Sequence, residues 1–119
     1  MDQTTIGAKT YLRRALPASE IVQALRGFCD PTLVGDEGAS VSGIANARSI
    51  ADDTIVHASG SFTDRSGTSR RIVICEPANA DRISAPVRII VEDARGAFIK
   101  LLEFVAADIG LDYHRTLAE

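Results

Sequence analysis

Apolar and polar positions recur with two different periods along the chain. Ala18, Ile21, Val22, Leu25 and Phe28 follow at spacings of three and four, which predicts the buried face of a helix. Pro17 stands at its start, where a missing backbone donor costs nothing, and Gly27 and Pro31 bracket its end. A second helical face carries Ala97, Phe98, Leu101, Leu102, Val105 and Ile109, with Asp93 placed to cap it and Gly110 to end it. Between the two lie short strand-like runs. Val41-Ser42-Gly43-Ile44 alternates apolar and small residues, and Thr54-Ile55-Val56-His57-Ala58 is β-branched. Ile72-Val73-Ile74-Cys75 and Val87-Arg88-Ile89-Ile90-Val91 are nearly continuous apolar runs, expected as central strands covered on both faces. Thr32-Leu33-Val34 is apolar but short. Residues 46–53 read as a connecting loop with room for a single helical turn, and 59–69 as a loop or a poorly formed helix. In residues 1–15, Thr10-Tyr11-Leu12 suits a short strand, an ordered arm or a loose tail equally. The pattern predicts an N-terminal arm, 1–15, and one α/β domain, 16–119, in which a small mixed sheet is flanked by helices in two or three layers.

Composition narrows what such a domain does. The 119 residues carry a net charge of −3, against the basic excess that a nucleic-acid surface requires. The densest basic group, Arg65, Arg70 and Arg71, is diluted by Asp64 and Glu76. With no Trp and 5% aromatic residues there is no stacking platform for a single strand. No apolar run reaches membrane-spanning length, and no signal-peptide core is present. Cys29 and Cys75 form no CxxC and have no His at ligand spacing, so they are expected as reduced, buried thiols in the cytoplasm, without a metal.

No catalytic constellation emerges. The two histidines, His57 and His114, stand outside any nucleophile–base motif. Ser59-Gly60-Ser61 and Ser66-Gly67-Thr68 lack the spacing and following helix of a phosphate loop. Glu92-Asp93 is explained by helix capping and Asp52-Asp53 by a solvated loop. His57 is the one polar side chain between Ile55 and Ala58, suited to the surface, to a structural hydrogen bond, or to stacking on a base. Binding, not catalysis, is therefore expected, with no cofactor and no catalytic residue.

Three ordered segments carry a family resemblance. Leu33-Val34-Gly35-Asp36, Val41-Ser42-Gly43-Ile44-Ala45, and Ile89 to Phe98 with Leu101-Leu102 resemble the N-terminal domain of the UDP-3-O-acylglucosamine N-acyltransferases of bacterial lipid A biosynthesis. The same fold resemblance extends to the first domain of the UDP-N-acetylmuramoyl-peptide ligases. It implies a small α/β unit associated with a uridine nucleotide. In that family an aromatic, two residues, Asn, two residues and a second aromatic form a clamp on uracil. Placing His57 at the first ring puts Gly60 at the Asn and Thr63 at the second ring; placing Phe62 at the second ring puts Ser59 at the Asn and Val56 at the first. His57, Ser59, Gly60 and Phe62 are thus the ligand-binding residues that the resemblance implies, with half the clamp replaced. The family's hexapeptide-repeat acyl-transfer domain has no counterpart in the sequence.

The function so implied is a stand-alone binding module for UDP-N-acetylglucosamine or a related UDP-sugar, or one that assists a glycan or lipopolysaccharide enzyme. The alternative is a protein-interaction or scaffolding domain, or a homo-oligomer, that has lost the nucleotide.

Overall fold

The protein is described from a computed structural model, which covers residues 10–45, 53–58, 71–83 and 85–112. Six strands form one mixed sheet: β1 (Thr10–Pro17), β2 (Thr32–Val34), β3 (Ser40–Ile44), β4 (Thr54–Ala58), β5 (Arg71–Cys75) and β6 (Val87–Ile90). Their order across the sheet is β1-β3-β4-β5-β6-β2. The middle four run parallel, and each edge strand is antiparallel to its neighbour. The expectation of a small mixed sheet with helices holds at this level.

Side-chain alternation sorts the two faces. Ile55, Ile72, Ile74, Val87 and Ile89 face α1 (Ala18–Leu25) and α2 (Ala94–Phe104), and together they make the larger core. Val56, Ala58, Val73 and Cys75 face the other way, onto a 3-10 helix, Pro77–Arg82, through Ala80. Arg88 tethers that helix by donating from Nη1 to the Ala80 carbonyl at 2.8 Å. Every residue of β5 is buried. This matches its uninterrupted apolar pattern, as a strand covered on both faces requires.

Both helices depart from the expected faces at one place. α1 ends at Leu25, and the chain turns as the Phe28 and Cys29 amides both donate to the Leu25 carbonyl. Phe28, expected on the buried face, is consequently exposed. In α2, Leu101 takes the core position at full burial, and Leu102 rotates a further ~100° around the axis into solvent. A π-helical turn, Val105–Ile109, follows α2 and ends at Gly110.

Residues 10–15, read as part of an arm, are built into β1. Tyr11 pairs with Gly43 and Leu16 with Val41, so Leu12 to Ala15 bulge out of the ladder. The outer side of the bulge meets the end of the described chain. Arg13 N–H donates to the Gly110 carbonyl at 3.0 Å and Asp112 N–H to the Tyr11 carbonyl at 2.8 Å. A strand edge so bent and covered is a poor template for pairing with other chains. Asp53, expected in a solvated loop, instead fixes the entry to β4. It adopts φ 61°, a left-handed conformation that Asp tolerates, and its Oδ2 accepts from Ser42 Oγ at 2.7 Å.

Candidate functional site

Strands β4, β5 and β6 end level with one another, since Ala58 pairs with Cys75 and Cys75 with Ile90. Open α/β sheets bind ligands outside the carboxyl ends of their strands, where successive connections leave to opposite faces. Here the chain leaves β5 for the 3-10 helix on one face and β6 for α2 on the other. His57, Glu76 and the first turn of α2 meet at this edge.

His57 lies on the α2 face of β4, two residues beyond buried Ile55 and paired in register with Ile74. Its imidazole packs on Phe98, with ring centroids 4.7 Å apart and planes tilted by 37°. Burial pushes its pKa below the ordinary histidine range; the nearby Arg95 charge adds to this, and Glu76 opposes it. Nδ1 is buried and finds no hydrogen-bond partner among the described residues. The ring is therefore held neutral, on an apolar surface, with one polar atom left over. Buried polar atoms nearly always have a partner, so the exception calls for one from outside the described residues, such as an ordered water.

The rest of the edge is electrostatically committed. Asp93 caps α2, its Oδ1 accepting from Gly96 N–H at 3.0 Å, as the sequence predicts. Glu76 adds a cap that the sequence did not suggest: from the end of β5 it accepts from Ala94 N–H at 3.2 Å. Two first-turn donors that would otherwise attract a phosphate are thus bound to the protein's own carboxylates.

Of the four residues expected to bind ligand, His57 is at this edge, and Ser59, Gly60 and Phe62 lie outside the described residues, as do Asp52, Arg65, Arg70 and His114. Val56, the first ring position in the alternative alignment, is wholly buried on the opposite face. At the His57 position, Phe98 already covers the ring from the side of α2. Phe98 had been legible only as a core residue, and nothing in the sequence links it to a histidine in a distant strand. Glu76 and Arg95 were equally silent.

Other chemistry finds no support among the described residues. No cluster of three or more His, Cys, Asp or Glu side chains could hold a metal ion. Cys75 is buried and Cys29 partly so, both are free, and burial raises both thiol pKa values, which disfavours the reactive thiolate. No described helix is long and apolar enough to cross a membrane. At the opposite edge of the sheet, a cavity of about 180 Å³ lies between Val41, Ile72, Pro86 and Val87. It is smaller than the roughly 300–1,000 Å³ typical of sites that enclose a small organic ligand.

No family model matches the chain, and no curated protein or solved structure matches it either.

The state of His57 carries a pH signature. In the unfolded chain it regains an ordinary pKa of about 6.5. Between its lowered folded value and that one, the unfolded state binds more protons, so stability rises with pH across the window. Its contribution is complete above about pH 6.5 and is lost as pH falls through the folded value. Thermal melts of the protein are expected to weaken from about pH 7.5 to pH 5.5 more steeply than those of His57→Phe. Parallel profiles for the two proteins would refute a neutral, half-buried His57.

Proposed function

We propose that this chain is a non-catalytic binding module whose ligand site is the carboxyl edge of β4–β6, centred on His57. The observation that carries the reading is the buried Nδ1 of His57, unpartnered among the described residues and set on an aromatic surface at the edge where parallel sheets bind ligands. A planar heteroaromatic ring laid against this edge extends the apolar surface that His57 and Phe98 begin. The resemblance in the sequence narrows the ring to uracil, carried by uridine, UDP or a UDP-sugar such as UDP-N-acetylglucosamine.

The charges at the edge divide that ligand. With Ala94 and Gly96 amides already engaged by Glu76 and Asp93, the first turn of α2 offers little to a diphosphate, so the base is the moiety this edge holds. Titration followed by amide shifts should therefore move residues 57–58, 76 and 93–98 with uridine as well as with UDP-N-acetylglucosamine. His57→Ala should weaken binding about 10-fold, the loss of one stacking contact. Silence at millimolar nucleotide would remove uridine as the ligand class. Shifts confined to other residues would remove this edge as the site.

A further inference from the structure

Among the described residues, three large apolar side chains remain in solvent. Phe28, Ile99 and Leu102 are 44%, 47% and 36% exposed. Single exposed apolar residues are ordinary, but a continuous apolar face marks an interaction surface. Two of these adjoin, and the third packs beside the same helix. Ile99 and Leu102 are three residues apart on α2 and share a face. Phe28 reaches the same helix across Gly96, where a Cβ would lie 3.2 Å from its Cζ, and Lys100 Nζ sits 5.8 Å from its ring centroid.

The charges beside this face suit a second copy of the chain. Lys100 and Glu103, both exposed and 3.5 Å apart, set a positive and then a negative charge along one flank of the apolar pair. In a twofold-symmetric pair the same patch serves both copies, so residue i meets residue j and j meets i. Two α2 helices packed antiparallel bring Ile99 of each copy against Leu102 of the other. The twofold keeps both charged flanks on one side and reverses their direction, so Lys100 of each copy faces Glu103 of the other. The surface is complementary to itself.

We propose that this α2 face is a homodimer interface, with Ile99 and Leu102 at its centre and reciprocal Lys100–Glu103 pairs along its rim. It goes beyond the ligand reading and does not depend on it, since His57 and Phe98 lie on the sheet side of α2. Three large side chains per copy place the contact below about 1,200 Å² in total, at the weak end of specific interfaces. The dissociation constant is expected on the order of 10 µM.

Sedimentation velocity of the full chain between about 1 µM and 500 µM should show a monomer–dimer equilibrium. Leu102→Glu should raise the dissociation constant at least ~10-fold while leaving unchanged the thermal melt taken at about 1 µM, where the chain is monomeric. The deciding measurement is a mixture. Lys100→Glu and Glu103→Lys should each weaken self-association, because each places like charges at both rim contacts. An equimolar mixture of the two should dimerise again, since the mixed pair has opposite charges at both. A chain that stays monomeric throughout, a dimer indifferent to Leu102→Glu, or a mixture no stronger than its components would each overturn the proposal.

Discussion

Ile74→Ala is expected to lower the free energy of unfolding by about 3–4 kcal/mol, one of the two largest effects a single substitution should produce in this domain. Ile74 is fully buried in β5, the strand that hydrogen-bonds to β4 on one side and β6 on the other. Its side chain points into the larger core beneath α1 and α2, so no solvent fills the space left by truncation. The cost is then the lost transfer of its methylenes together with the cavity. Ile74→Val, which removes one methylene, should cost only about 1 kcal/mol. Urea unfolding of the two variants measures both, and a loss below about 1 kcal/mol for the alanine would contradict the central place of β5. The cavity also lies beside His57, the register partner of Ile74.

Gly35→Ala should cost about 2–4 kcal/mol for an unrelated reason. Gly35 leaves β2 at φ 109°, where a side chain is strained whatever the space around it. There is also no space: a Cβ would overlap the Pro86 carbonyl oxygen and lie 3.1 Å from Val87 Cα. Both neighbours are backbone at the start of β6, so relief requires moving a strand. Faster amide exchange along Thr32–Val34 should accompany the loss, because the antiparallel β2–β6 pair is what gives way. Gly27→Ala provides the contrast. A Cβ there meets nothing within 4 Å, and the substitution should be neutral or stabilising by up to about 1 kcal/mol. Comparable losses at the two glycines would show that composition, not the contact with Pro86, sets the cost.

The legible parts of this fold are those in which one residue's environment follows from its immediate neighbours. Ile72 to Cys75 has no polar interruption, so a strand covered on both faces was readable, and Asp93 three residues before Gly96 was readable as a cap. β2 was not, because three residues are too few to display a period. β1 was ambiguous for a different reason: its alternation breaks at Arg13-Arg14-Ala15, where the bulge leaves the ladder. At the candidate site, sequence placed His57 in a strand beside a loop but supplied none of its surroundings. The contact with Phe98 joins a strand to a helix some forty residues later, and Glu76 reaches α2 only because β5 and β6 are adjacent. Such meetings are products of the assembled sheet, and local periodicity carries no trace of them.

The strand order sets a timetable for assembly. Along β3, β4, β5 and β6 each strand pairs with the next in the chain, and these pairs close at lower entropic cost than β1 with β3, whose paired residues stand further apart in sequence. β2 emerges before β3 yet pairs with β6, more than fifty residues further along. On the ribosome it must wait unpaired until the sheet has grown to its far side. Its three-residue length suits that delay, since a short waiting strand exposes little backbone to the wrong neighbour. Closing the sheet with β2 is thus a late step, and the contact of Gly35 with Pro86 is part of the same closure.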